Sequence, residues 1–466
     1  MTGPPEPAPR GGLLHILGLG FGLAGAVGGS IGAGILRTPG LVAAQLGSPA
    51  LILAAWLLGG LYALLGAVCV AELGASLPRA GGWYVYAQRA FGPWAGFSVG
   101  WTDWLGHVVG LAWVAITVGE YVEALLPAFP LGPRATACLV LAVFSLIQLL
   151  GVRAGSASQQ LLSLVKAAAF LALVLACFLL GDPAGGQAAG ALGAAAEASA
   201  GPLTGTGPLT GTGLVSGSGF ALAAVLALQA VITTYDGWAS PIYFSEEFSE
   251  PARDLPRSLL GGVGAVLVIY LLVNGALLRV LPLEQLAASA LPAADAARRL
   301  VGPLGGHLIS GLALLSLLGL VNTVVMAAPR ILFGLSRDGL VPAFAQQVTA
   351  GGTPLAALAI TSGGAAALVL SGSFARLLGM ASFLYVAIYL AGIVALLVLR
   401  WREPELERPF RAWGYPVTPL LIAAGSLAFL AAALWSDTAN SLAALALIAL
   451  GYPLYAASRR LGWGEA

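Results

Sequence analysis

Charge is the scarce ingredient of this sequence. Only 9% of its 466 residues are charged, 59% are hydrophobic, and the mean hydropathy is +0.91. A soluble domain carries roughly 25% charged residues. A chain this poor in charge does not cover a water-facing surface, so it reads as a polytopic membrane protein embedded in the lipid bilayer. The net charge of +1 offers no basic face for nucleic acid. Cysteine is scarce too: Cys69, Cys138 and Cys177 all sit in apolar runs. They form no disulfide framework, and none suits a covalent link to an ancillary chain. We find no Walker-type phosphate loop, no Cys/His metal spacing and no nucleophile triad. These absences argue against an enzyme and imply neither cofactor nor metal. The start, MTGPPEPAPRGG, is too polar and proline-rich for a signal peptide and reads as a short disordered tail.

Lysine is the rarest absence of all. The only one, Lys166, lies inside SQQLLSLVKAAAFLALVLACFLLG, while every other basic residue is arginine. About ten residues into that stretch, which begins at Ser158, it lies roughly 15 Å deep at about 1.5 Å per residue. A charge at such depth costs about 2.5–3.5 kcal/mol on insertion scales. A compact amine can shed its proton when desolvated and a guanidinium cannot. A functional role is therefore favoured over a lysine that merely staples helices.

What the sequence has in abundance is apolar runs long enough to cross roughly 30 Å of hydrocarbon. Twelve are expected: Ile16–Leu36, Ala50–Val70, Trp94–Tyr121, Ala135–Leu150, Leu161–Leu180, Phe220–Tyr243, Leu259–Leu281, Leu308–Met326, Leu355–Leu370, Leu378–Leu399, Leu420–Leu434 and Leu442–Tyr455. Orientation follows from the arginines. With the N-terminus inside, the inner loops hold Arg79, Arg89, Arg153, Arg253, Arg257, Arg330, Arg337, Arg400, Arg402, Arg408 and Arg411, and the tail adds Arg459 and Arg460. The outer side holds Arg134, Arg298, Arg299 and Arg376, with Arg37 and Arg279 at its margin. Both termini are expected in the cytoplasm and the spans in the plasma (inner) membrane. GPLTGTGPLTGTG, a unit written twice, reads as a flexible outer loop.

Two spans are interrupted. GAVGGSIGAGILRTPG crowds Gly25, Gly28, Gly29, Gly32 and Gly34 into the middle of the first, ahead of Pro39. One small pair would be packing; this density predicts a helix that unwinds at mid-depth. Unwound backbone is tolerated in a membrane only where protein or a watery cavity satisfies it. AVITTYDGWASPIYFSEE in the sixth carries Thr233, Thr234, Tyr235 and Asp236 before Gly237, with Pro241 a turn later. The interruptions lie five spans apart, the spacing of two five-helix inverted repeats with a site between them. The expected fold is all-α with 12 transmembrane helices: a 5+5 inverted repeat with discontinuous helices 1 and 6, plus two extra helices. The divisions are a tail over 1–12, a first repeat over 13–180, an outer loop over 181–217, a second repeat over 218–400, the last two spans over 401–457, and a tail over 458–466. In the third span Asp103 and His107 share a helix face, either as a packing pair or facing a cavity. Glu72, Glu246 and Glu247 at inner ends suggest gate or loop ion pairs.

GGSIGAGIL, AELGASLPRAGGWYVYAQRAFGP, YDGWASPIYFSEEFSEPARDLPRSL, PRILFGLSRDGLVPAFAQQVTAGGTPLAAL and LRWREPELERPFRAWGYPVTP, in that order, resemble the amino acid–polyamine–organocation transporters of LeuT-type fold. The amino acid exchangers and bacterial permeases of that family are the most similar. The resemblance implies a secondary transporter working by alternating access on an amino acid. The substrate carboxylate would meet N–H groups of the unwound Ser30–Ile31–Gly32–Ala33–Gly34 stretch near Ala33 and Gly34. The amine would meet carbonyls near Ser30, Thr233 and Asp236, beside Gly237. His107 would stand near a pocket-facing position. Thr233 occupies the usual place of an aromatic gate, leaving either Tyr235 or Trp238 to close the pocket or room for a larger substrate. Leu36 replaces a common Phe, and Arg37 is an unusual charge beside it. Some members carry a fifth-helix lysine where sodium-coupled relatives bind sodium. Lys166 would then contact first-helix carbonyls near Ser30 and eighth-span groups such as Asn322 or Thr323. Sodium-independent transport follows, by exchange or with protons. A sodium-coupled symporter of the same fold and a polyamine or organic-amine transporter are the alternatives. A channel is disfavoured, since no ring of one charge sign is evident. The oligomeric state is left open.

Overall fold

The computed structural model describes residues 12–181, 218–371 and 374–460. The N-terminal tail, the GPLTGTG repeat and the end of the C-terminal tail lie outside the described residues. Helices dominate, and among the described residues the only β features are two isolated bridges. The first apolar run is a bent pair, α1 (Leu19–Ser30) and α2 (Gly34–Leu46), set at 47°. Then come α3 (Pro49–Ser76), α4 (Trp83–Phe91), α5 (Pro93–Leu125), α6 (Pro133–Leu149), α7 (Val152–Leu180) and α8 (Ser218–Tyr235). A short 3-10 segment, Ser240–Glu247, completes the sixth run. The second half holds α9 (Pro251–Val280), α10 (Leu283–Ala288), α11 (Pro292–Val301), α12 (Pro303–Arg337), α13 (Leu355–Ser371) and α14 (Phe374–Arg402). α15 (Val417–Ser436), α16 (Thr438–Ala449) and α17 (Gly451–Arg460) end the described chain. Among the described residues, eight segments are long and apolar enough to cross a membrane, and the bent pair makes a ninth. The shorter apolar helices α6 and α13 and the interrupted α8 fill the fourth, ninth and sixth places.

Prolines open many of these helices, at the first or second position of α3, α5, α6, α9, α11 and α12. There the missing N–H costs nothing and the fixed φ suits the helix. Several spans outrun the apolar stretches that announced them. The fifth starts at Val152 rather than Leu161, and the eighth runs Pro303–Arg337 rather than Leu308–Met326. The added turns are helical because their polar groups face protein. Ser156, Gln159, Arg330 and Ser336 are all buried. α1 lies against α7, α9 and α12, and α8 against α2 and α3. The interrupted runs therefore sit inside the bundle, each shielded from lipid by other helices.

Candidate functional site

The two interruptions touch. α1 ends at Ser30, and the Gly32 N–H turns back to the Ser30 carbonyl at 3.0 Å. After α8, Gly237 adopts φ +94°, a left-handed conformation suited to glycine. A Cβ on Gly237 would lie 2.3 Å from the Gly29 carbonyl oxygen, and one on Gly29 would lie 2.6 Å from that of Gly237. Only glycine at both positions allows this approach. Tyr270 of α9, fully buried, then ties the breaks together. Its hydroxyl donates to the carbonyls of Ser30 at 2.8 Å and Thr234 at 3.0 Å.

Beside the junction lies a cavity of about 680 Å³. At the start of α2 the Leu36 N–H turns back to the Ala33 carbonyl at 3.2 Å, and the Ala33 and Gly34 N–H groups lie before the first turn's acceptors. Ala33 and Gly34 line the cavity there, next to Gly32, whose Cβ would meet nothing nearer than Leu320 at 3.8 Å. That end of a helix favours an anion. Ser30, His107, Thr233, Tyr235, Asp236, Gly237 and Thr323 also line the cavity. Ile31, Lys166 and Asn322 do not; each is fully buried.

The Ser30 carbonyl, expected near the substrate amine, is engaged within the protein. It accepts from Tyr270 and from Gly32 N–H. The Thr233 carbonyl accepts from Asp236 N–H at 3.3 Å. The group with capacity to spare is the Asp236 carboxylate, one oxygen of which accepts from the Tyr389 hydroxyl of α14. Asp103 and His107 do form a pair. His107 Nδ1 stands 3.1 Å from Asp103 Oδ1 and 2.8 Å from the Asp103 carbonyl. Tyr243 donates to the same Oδ1 at 3.0 Å, while the buried Asp103 Oδ2 has no partner. His107 packs edge-on to Tyr243 and Tyr385.

Of the two residues expected to close the pocket, Tyr235 is 1% exposed, donates to the Trp56 carbonyl at 3.0 Å and packs against Tyr270. Trp238 flanks the cavity, held between Trp83 and Tyr389. Thr233 is exposed, Leu36 is fully buried, and Arg37 is exposed on α2.

Lys166 is fully buried, and its Nζ donates to the Ile31 carbonyl at 2.7 Å and the Gly28 carbonyl at 3.2 Å. The expected contacts with the first helix are there, one to two residues either side of Ser30. Those with Asn322 and Thr323 are not. Asn322 spends its amide on Gln159, Gly155, Gln148 and Ser158, and Thr323 donates to the Gly319 carbonyl. The eighth-span neighbour is Gly319, where a Cβ would lie 3.2 Å from Nζ. A sequence has no side-chain signal for a contact made by a missing side chain.

The end of the bundle richest in arginine is sealed. Arg330 makes a two-point ion pair with Glu247, with both side chains buried, and Arg337 reaches Glu246 at 2.7 Å. Glu72, 1% exposed, accepts from Arg400 at 2.5 and 2.6 Å and from the Ala412 N–H at 2.6 Å, and pairs with Arg408 at 3.2 Å. The carboxylates Glu72, Glu246 and Glu247 thus form ion pairs, as their positions suggested. Tyr270, Tyr389 and Tyr243 were missed. The available signal was a tyrosine in a run otherwise apolar, and nothing in it names the partner.

The family model described as "Amino acid permease" matches residues 14–452. The chain is 28% identical over 453 residues to the serine/threonine exchanger SteT of Bacillus subtilis (strain 168), covering 95% of this chain and 97% of that one. It is 29% identical over 401 residues to Asc-type amino acid transporter 1 of Mus musculus, covering 83% of this chain and 70% of the relative. With the large neutral amino acids transporter small subunit 2 of Mus musculus it shares 28% over 467 residues, covering 97% and 83%.

Proposed function

We propose a transport mechanism for this chain from the premise that it belongs to the amino acid permease family, a family of membrane transporters and not of enzymes. The chain moves amino acids across the membrane by alternating access, without sodium, as an exchanger or a proton-coupled permease. The observation that carries this reading is the junction at Gly29 and Gly237, with the α2 N-terminus and Asp236 on the same cavity. An amino acid carries an anion and a cation on neighbouring atoms. The carboxylate lies on the N–H groups of Ala33 and Gly34. The ammonium lies toward Asp236, whose carboxylate is steadied by Tyr389. The side chain extends toward His107 and Trp238.

Lys166 supports sodium independence. Its ammonium sits on the Gly28 and Ile31 carbonyls, where a bound cation would otherwise be needed to hold the unwound backbone. An exchanger keeps this charge fixed; a proton-coupled permease lets it leave and return. The two interruptions support a first repeat over 13–180 and a second over 218–400, with 181–217 outside, 401–457 as added spans, and tails over 1–12 and 458–466. The arginine excess supports cytoplasmic termini in the plasma membrane. Cys69 and Cys177 are buried and Cys138 is half-buried within α6, which favours a chain without a disulfide-linked companion.

The test is counterflow in proteoliposomes loaded with a mixed amino acid panel, with sodium replaced by choline. Labelled amino acid should accumulate against internal amino acid or under an inward proton gradient. Uptake of a polyamine and of no amino acid would sink the substrate reading. A strict sodium requirement would sink the role given to Lys166.

A further inference from the structure

Below Lys166 the same face of α7 carries two more buried polar residues, Ser163 and Gln159, one and two turns back. Both reach α1. Ser163 Oγ donates to the Ala24 carbonyl at 2.8 Å, and Gln159 Nε2 donates to it at 3.3 Å and to Ser163 Oγ at 3.1 Å. The contact depends on a missing side chain opposite. A Cβ on Gly28 would lie 1.9 Å from Gln159 Nε2 and 2.8 Å from Ser163 Oγ. The Gln159 amide is aimed from behind, because its Oε1 accepts from Asn322 Nδ2 of α12 at 2.8 Å. Asn322 Oδ1 in turn accepts from Gln148 of α6 at 3.0 Å and from Ser158 at 3.2 Å. Three helices that pack on one another thus present two directed donors to one half-helix.

We propose that Gln159 and Ser163, oriented by Asn322, form a polar latch that sets how readily α1 parts from α7. This deepens the transport reading and rests on it. α1 is joined to α2 by a three-residue break with a 47° bend, so it can tilt as a separate body. Its backbone N–H groups are committed within the helix. What ties it laterally to α7 is the ladder of donors onto the carbonyls of Ala24, Gly28 and Ile31. Lys166 holds the top rung, at the unwound end. The latch holds the lower one, nearer the sealed end, where the Leu17 N–H also bonds the Glu247 carbonyl at 2.9 Å. Opening the cavity toward that end requires both rungs to part. A neutral lower rung gives way at lower cost than a charge-assisted one, so it tunes the balance of states while Lys166 gates it. Asn322 then acts through Gln159 as a positioning residue, not as a partner of the lysine.

The test is hydrogen–deuterium exchange on the full chain in lipid nanodiscs, read over 19–30 and 34–46. Gln159→Met and Ser163→Ala should each speed exchange in 19–30 by about tenfold, the equivalent of one buried hydrogen bond, and leave 34–46 unchanged. Asn322→Ala should match Gln159→Met. Ser156→Ala, whose hydroxyl serves Gln160 on its own helix, should change nothing. For transport from the cavity side, the latch variants should raise KM several-fold and keep the maximal rate, because fewer molecules wait in the open state. Unchanged exchange in 19–30, or exchange that quickens equally in every span, overturns the latch. So does a fall in maximal rate at constant KM. The exchange experiment needs no substrate, so a failure to find a transported amino acid would count against the transport reading and leave the exchange result standing.

Discussion

A methyl group added at three glycines of the first and sixth runs meets three different surroundings. At Gly237 it would lie 2.3 Å from the Gly29 carbonyl oxygen, on backbone already at φ +94°. Gly237→Ala should therefore unfold the junction. The left-handed conformation alone costs about 1–2 kcal/mol, and the overlap adds to it. At Gly25 the methyl would meet nothing within 4 Å, so Gly25→Ala should be neutral or gain up to about 1 kcal/mol of helix propensity. At Gly32 the added bulk enters the cavity. Gly32→Val should keep the melting temperature and abolish the stabilisation that a transported amino acid confers. Thermal melting with and without substrate separates the three, and equal losses in all of them would count against a backbone binding site. Tyr270→Phe is the companion test. It removes one donor from two buried carbonyls and should cost about 1–3 kcal/mol, a loss visible as a lower melting temperature. A melting temperature equal to the parent's would show that Tyr270 does not tie the breaks.

Between elements, the buried pair of Arg330 and Glu247 joins α12 to the 3-10 segment, with side chains 3% and 0% exposed. Removing one partner leaves a bare charge in the interior, which costs about 3–5 kcal/mol. Arg330→Met alone should therefore be more damaging than Arg330→Met combined with Glu247→Met. If the double variant melts below the single, the pair does not behave as a buried ion pair. The residue types at this site were legible in the sequence, because carboxylates and arginines cluster where apolar runs end. Their pairing was not, since Glu247 and Arg330 lie 83 positions apart. The same limit explains the elements. Apolar runs announced the long spans, and glycine, proline and polar residues within two of them announced the interruptions. The short helices α4, α10 and α11 escaped because six to ten residues give too little length for an apolar period to show. The early turns of α7 escaped because Ser156 and Gln159 are polar and buried at once, and a hydropathy pattern cannot separate a polar face turned inward from a loop. The site followed the same rule. Glycine, proline and Asp236 marked the breaks, while Tyr270 and Tyr389, which hold them, came from helices whose contacts no local pattern records.

At the scale of the whole molecule the structure is lopsided. One end is sealed by the carboxylates Glu72, Glu246 and Glu247 with their arginines. On the cavity side of the junction, Thr233 at the end of α8 is exposed, whereas Ser240, past the break, is buried. This contrast predicts a site that opens away from the arginine-rich end. A single cysteine in place of Thr233 should react quickly with a membrane-impermeant thiol reagent added to the face opposite that end. Thr233→Cys suits the purpose because the native cysteines are buried or half-buried within helices. Ser240→Cys should react slowly from either face, and faster from the arginine-rich face only once substrate drives the chain through its cycle. Replacing sodium by choline should leave both rates unchanged. The Lys166 ammonium already occupies the Gly28 and Ile31 carbonyls, so sodium has no differential hold on the two states, and a ligand without one shifts nothing. Lys166→Met removes that hold. In this variant Ser240→Cys should react without substrate, because the upper tie between α1 and α7 is gone. Labelling that slows in sodium for the parent chain, or that ignores Lys166→Met, would contradict a lysine standing in for the ion.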